Sequence, residues 1–197
     1  MKKGIAFTLI AGSLAACVKP IPPTFSAADV ITSQATYTTL AALPATSIAA
    51  MPIAGTGTYT GRIAGDLTGG DVGGGSFLGD LTLAVDFASA GITGSAQNIN
   101  IIDEFGVPNQ TLGGTLGVTG AVAGNNMTAG ASGSLSAVAV IPGTSIGVSG
   151  SVDMSLLLGG AFRTNIVAAD TITGGVTGIG TGDIAFGVTN GTFNAQR

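Results

Sequence analysis

The 197-residue chain has no histidine, no tryptophan and a single cysteine, Cys17. One thiol excludes an internal disulfide. Without histidine the usual ligand sets for zinc, copper and axial haem cannot be assembled, leaving oxygen donors or a methionine, so no metal and no cofactor is expected. Charge is also scarce: 8% of residues are Asp, Glu, Lys or Arg, with a net charge of −4, which leaves no basic surface for nucleic acid. Glycine, serine and threonine break every later apolar run well short of the roughly 20 residues a membrane-spanning helix needs. Catalytic groups are missing too. Gly143-Thr144-Ser145-Ile146-Gly147 fits the G-x-S-x-G elbow of hydrolases, but that motif needs a strand–turn–helix setting and a histidine base, so it reads as a turn in a glycine- and serine-rich strand. The ten carboxylates are scattered, and the one pair, Asp103-Glu104, is adjacent in the chain instead of facing across a site. An enzyme is therefore the weakest functional class.

Glycine is abundant, at 34 residues, and 45% of the chain is hydrophobic, too much for a disordered polar chain. Collagen is excluded because Leu81 to Phe87 contains no glycine. From Gly55 onward apolar and polar residues alternate, the period that puts successive side chains on opposite faces of a strand. Leu81, Leu83, Val85 and Phe87 alternate with Thr82, Ala84 and Asp86; Val152, Met154 and Leu156 alternate with Ser151, Asp153 and Ser155. Turn signals at Ala90-Gly91, Gly124-Asn125-Asn126, Pro142-Gly143, Gly159-Gly160 and Gly180-Thr181-Gly182 separate the runs. The expected fold is all-β: an antiparallel up-and-down β-barrel of about eight strands, near residues 55–63, 78–87, 91–101, 111–122, 126–138, 145–157, 170–178 and 183–195. A β-sandwich is the alternative. Parity slips between Gln97 and Ile101 and between Val188 and Phe193, where bulges or strand ends are expected.

The N-terminus has a different character. Met1-Lys2-Lys3 is followed by an uncharged apolar stretch, Gly4 to Ala16, the layout of a secretory signal peptide. Leu14-Ala15-Ala16-Cys17 resembles the lipobox of bacterial lipoproteins. The resemblance implies that residues 1–16 are removed and that Cys17 is acylated, tying the chain to a membrane; the alternative is a secreted protein cut elsewhere. Losing Lys2 and Lys3 leaves four basic residues against ten acidic ones, a net charge of about −6. Residues 17–54 carry five of the seven prolines and read mainly as a lipid-anchored extended tether. Within them Ala28 to Ile48 is open to a short helix or an added strand, with Val30, Ile31, Tyr37, Leu40 and Leu43 available for packing.

Three segments carry a second resemblance: Gly55-Thr56-Gly57-Thr58-Tyr59-Thr60-Gly61, then Asp86 to Ala96 (DFASAGITGSA), then Gly124-Asn125-Asn126-Met127. Over residues 55–197 the chain is similar to the C-terminal β-barrel of the transferrin-binding protein B family, surface lipoproteins of Gram-negative bacteria. The family's closing glycine–phenylalanine strand is matched in part by Gly191-Thr192-Phe193-Asn194-Ala195-Gln196-Arg197. The resemblance implies an eight-stranded barrel, an outer-membrane and surface-exposed location, and binding of a host protein or a solute for nutrient acquisition or immune evasion. Transferrin itself is not carried over, because the family's host contacts lie largely in an N-terminal lobe for which this chain has no length. The candidate recognition tip is Asp103, Glu104 and Phe105, in the least alternating stretch of the domain; the competing reading is a solvated turn with Phe105 folded onto the barrel rim. Gly69 to Gly75 is a flexible hairpin loop more readily than a calcium repeat, which it resembles only once and out of order. The alternative function is a structural cell-envelope lipoprotein with no dedicated ligand. A membrane-spanning barrel is disfavoured by two tyrosines and no tryptophan, too few for aromatic girdles.

Overall fold

The computed structural model of the chain describes residues 21–70, 74–140 and 147–197. Among these residues eight antiparallel strands close into a barrel in chain order: β1 (Thr56–Thr68), β2 (Ser76–Asp86), β3 (Gly91–Ile102), β4 (Pro108–Ala123), β5 (Asn126–Val140), β6 (Gly147–Arg163), β7 (Thr171–Gly182) and β8 (Phe186–Gln196). The ladder from Thr60↔Gln196 to Thr68↔Gly187 joins β8 to β1, so the up-and-down barrel is closed and no sheet edge is left to pair with another chain. That ladder is also what rules out a sandwich.

The alternation does what a strand requires. In β6, Val152, Met154, Leu156 and Leu158 point inward and are buried, while Ser151, Asp153 and Ser155 face out. The inward residues of all eight strands form one continuous core, each large apolar side chain contributing about 1.5–3 kcal/mol by leaving water. Apolar inside and Thr, Ser and Gly outside is the reverse of a membrane-spanning barrel, which turns its apolar residues toward lipid.

A second set of glycines makes room in the interior. Phe77 stands opposite Gly65 across the β1–β2 ladder, and Phe186 and Phe193 stand opposite Gly180 and Gly174 across β7–β8. A Cβ added at Gly180 would lie 2.5 Å from the Phe186 ring, and one at Gly65 would lie 2.9 Å from the Phe77 ring. A barrel of eight strands has an interior only just wide enough for its own side chains, so a cross-strand partner of an inward ring must be small.

Strand limits differ from expectation in places with a physical cause. Gly159-Gly160, expected as a turn, lies inside β6, where Gly160 pairs with Gly174 beneath the Phe193 ring; the connection to β7 is residues 164–170 instead. β1 continues to Thr68, past the expected limit at 63. Both parity slips are bulges: the β3–β4 register shifts between Gln97 and Ile99 with Asn98 at φ 55, and the β1–β8 register shifts between Ala64 and Asp66 opposite Asn190 at φ 48. The Pro142-Gly143 turn, most of the G-x-S-x-G segment, Asp71, the N-terminal apolar stretch and Cys17 lie outside the described residues.

Residues 21–54 are laid along the barrel wall as a strap. Ile21 bridges Thr111 near the start of β4. The helix α1 (Ala27–Ala41) then crosses the outside of the barrel, Ala45 bridges Arg163 at the end of β6, and a 3₁₀ turn over Ile48–Ala50 brings Met51 against the core. The helix fulfils one of the two options open for Ala28 to Ile48. The barrel thus has two distinct ends, one carrying the β3–β4 turn (103–107) and the other the β6–β7 connection.

Candidate functional site

The strap is fastened at two places. Near the β3–β4 turn, the Thr24 N–H donates to Asn100 Oδ1 (2.9 Å), and Phe25 packs on Leu78 and Ile102 on the outer wall. The Arg62 guanidinium lies 4.5 Å from the Phe25 ring centroid and is ion-paired with Asp80. At the other end Leu40 is buried, Arg163 Nη1 donates to the Leu43 carbonyl (2.6 Å), and the Thr164 N–H donates to the Pro44 carbonyl (3.0 Å). Ser26 starts the helix through a capping box: its hydroxyl accepts the Asp29 N–H, and the Asp29 carboxylate accepts the Ser26 N–H (2.7 Å). The Ser26 side-chain and backbone bonds hold the Asp29 carboxyl below its usual range.

Between the two fastenings α1 stands off the wall and roofs a groove of about 730 Å³ over β8, β1 and β2, within the size range of small-ligand pockets. Gln34 and Thr38 face it from the helix; Thr192 and Asn194 of β8 and Arg62 and Ala64 of β1 form its floor. Asn194 is only 5% exposed and lines the groove; the enclosed side-chain polar atom left without a partner among the described residues lies elsewhere, at Gln110 Oε1. With Arg62 already paired to Asp80 and the Asp66 carboxylate at the edge accepting from the Asn190 amide, the groove offers mainly amides and hydroxyls along an apolar strip. It suits an uncharged ligand that both donates and accepts hydrogen bonds.

The expected recognition tip is organised differently. Asp103 Oδ1 accepts the N–H groups of Phe105 and Val107, both at 2.9 Å, so its carboxylate is used to shape its own turn, with Gly106 at φ 78. Glu104 is exposed. Phe105 is 82% exposed and does not fold onto the rim. The turn therefore uses Asp103 on its own backbone and turns Phe105 outward; Asp103 and Glu104 border one hollow with Asp66 and Ser76, which Phe105 does not line. The groove residues Asn194 and Thr192 were not singled out by sequence, because on an alternating strand they look like any solvated outward position.

The opposite end is held by a polar knot. The Tyr59 hydroxyl donates to the Ala169 carbonyl (2.5 Å); burial raises its pKa to about 12, with Arg197 opposing and Asp170 adding. The Asp170 carboxylate accepts the N–H groups of Asn165, Ile166 and Val167. Burial alone would raise its pKa, but those bonds and the Thr171 hydroxyl outweigh it and hold it below the usual range. Ile166 is left 86% exposed by this arrangement. Among the described residues no three His, Cys, Asp or Glu side chains come together as a metal site.

No protein-family profile matches the chain, and no curated protein is similar to it. Among solved structures it is similar to a mutant of the vaccine antigen transferrin binding protein B (TbpB) from Haemophilus parasuis Hp5, at 19% identity and a TM-score of 0.40. That likeness covers 77% of this chain but 28% of the other, so the chain spans less than a third of that protein's length.

Proposed function

We propose that the protein is an outer-membrane lipoprotein, anchored by acyl chains on Cys17 and exposed at the cell surface, whose barrel is a binding module for a host protein or a solute. Anchoring is supported by the lipobox-like Leu14-Ala15-Ala16-Cys17; several acyl chains on one residue hold a protein to a bilayer far more firmly than a single chain. The binding reading rests on one observation: a groove of about 730 Å³ under α1, lined by the amides and hydroxyls of Gln34, Thr38, Thr192 and Asn194. The ligand chemistry it favours is uncharged and rich in hydrogen-bonding groups, such as an oligosaccharide or a short peptide segment. The test is a thermal-shift screen of oligosaccharides and neutral peptides on the wild type and on Asn194→Leu. A true ligand at 100 times its Kd stabilises the wild type by about 2.7 kcal/mol and leaves the variant unmoved. Equal shifts in both proteins would remove the groove as the site.

The second reading is a structural envelope lipoprotein with no dedicated ligand. It is favoured by the outer face of β4 to β7, where described outward residues such as Thr119, Gly130, Ser132 and Thr177 are small and Leu157 and Ile179 are the large exposed apolar exceptions. Such a face lacks the Trp, Tyr and Arg anchors that concentrate binding energy. No stabilising hit in the screen would favour this reading.

A further inference from the structure

Whole-molecule orientation follows from how little chain separates the anchoring residue from the barrel. Ile21 is fixed to the wall: the Thr111 N–H donates to its carbonyl (2.9 Å), and the Thr111 hydroxyl donates to the Pro22 carbonyl (3.0 Å). Cys17 lies four residues earlier, a span of at most about 14 Å even when fully extended. Thr111 sits close to the start of β4 at Pro108, and β4 runs on to Ala123, roughly 40 Å along the strand and about 30 Å along the barrel axis at the usual tilt. A lipid on Cys17 can therefore reach a bilayer beside the β3–β4 turn, and it cannot reach one lying under the β6–β7 end of an upright barrel.

The β3–β4 turn presents apolar side chains on a rigid frame at the near end, which also carries the exposed carboxylates Asp66, Glu104 and Asp183. Phe105 is 82% exposed, Val107 and the neighbouring strap residue Ile21 are about half exposed, and the turn that presents Phe105 and Val107 is braced by the two Asp103 hydrogen bonds. A preorganised aromatic that projects into water gains by entering the headgroup–acyl boundary, where Phe, Trp and Leu side chains settle. Glu104 carries the one unbonded charge of the turn and is exposed, so it stays in the headgroup layer. A barrel lying on its side would instead press Thr93, Thr119 and Ala121 of the β3–β4 wall against lipid, where their exposed positions offer little apolar area.

Building on the Cys17 anchoring proposed above, we infer that the barrel stands on its β3–β4 end, with Phe105 and Val107 inserted in the bilayer interface next to the lipid. The β6–β7 end, with Ile48, Ile53, Ile166 and Val167 exposed, is turned away from the membrane and is the face offered to the surroundings.

The absence of tryptophan from the chain makes the test direct. Lipidated Phe105→Trp and Ile166→Trp proteins are reconstituted on vesicles of phosphatidylethanolamine and phosphatidylglycerol, with or without brominated phosphatidylcholine as a quencher. The Phe105→Trp protein should emit at shorter wavelength and lose roughly half its emission to bromine, as expected for a ring 5–10 Å into the boundary, whereas the Ile166→Trp protein should be unaffected. A vesicle-bound, lipidated protein in which the indole at position 105 is unquenched, or in which the one at 166 is quenched instead, overturns the orientation and leaves the anchoring reading intact. Mass spectrometry of the mature N-terminus reads the anchor separately: an unlipidated Cys17 overturns the anchoring, and the orientation with it.

Discussion

At the scale of single residues, the interior is governed by pairing a ring with a glycine. A Cβ on Gly180 meets three atoms of the Phe186 ring at 2.5–2.8 Å, and these are its nearest neighbours. Gly180→Ala should therefore cost about 1–3 kcal/mol by overpacking in urea unfolding. Most of that cost should vanish in a Phe186→Leu background, where the ring is gone; an equal cost in both backgrounds would mean that the backbone, not the ring, demands glycine. Asp170 makes the second residue-level prediction. Asp170→Asn replaces an acceptor facing three N–H groups with an amide that turns a donor toward some of them, at a cost of about 1–3 kcal/mol. Because the folded-state pKa is lowered, the carboxylate's contribution is fully present above the unfolded-state value and is lost as pH falls through the folded one. Wild type and variant should converge in stability in acid, below the usual carboxylate range, and differ most near neutrality. The alternation of Val152, Met154 and Leu156 with serines announced which way each residue faces. Nothing local announced that Gly180 would meet Phe186, because the partner is chosen by strand register.

Among the elements, α1 is the least self-sufficient. Its sequence, AADVITSQATYTTLA, is rich in β-branched residues that pay for helix in lost rotamer freedom, and the Thr38 and Thr39 hydroxyls donate back to the Gln34 and Ala35 carbonyls. Leu40 is its one buried residue. The helix is thus held by its Ser26 cap and the two fastenings more than by its own propensity, which makes it the part able to open over the groove. Ser26→Ala should remove about 1 kcal/mol of helix stability. Hydrogen exchange should rise across residues 27–41 while the strands keep their protection and the barrel its Tm. Uniform loss of protection through the strands would show instead that the strap is integral to barrel stability. This element was legible only as an open choice between helix and strand, since the region's prolines and small residues read as tether and its anchor points, Asn100 and Arg163, lie far away in the chain. The Asp103 turn was read at the right place, but its carboxylate faces its own backbone, a detail that spacing does not carry.

For the molecule as a whole, closure is the decisive event. The β1–β8 ladder joins Thr60 to Gln196, and such non-local pairing places folding on the millisecond-to-second scale typical of β-rich topologies. Deleting residues 186–197 removes β8 with the buried Phe186, Phe193 and Ala195, opens the facing edges of β1 and β7, and should yield a chain that aggregates and shows no cooperative transition on calorimetry. A truncated protein that still melts sharply as a monomer would show that seven strands can reclose.

The sequence by itself determined that the domain is antiparallel β, where most of its strands run, which residues face inward and where two of its bulges fall. All of these follow from the period of polarity along a strand and from the turn chemistry of residues close together in the chain. Tertiary structure alone decided that the sheet closes, that Gly159-Gly160 lies within a strand beneath Phe193 instead of forming a turn, and that residues 21–54 bind the wall and roof a groove over Asn194. Each of these depends on residues far apart, Thr24 and Asn100 being 76 positions distant. A local pattern says which face a side chain takes, whereas what stands opposite that face is set only when the chain is brought back on itself.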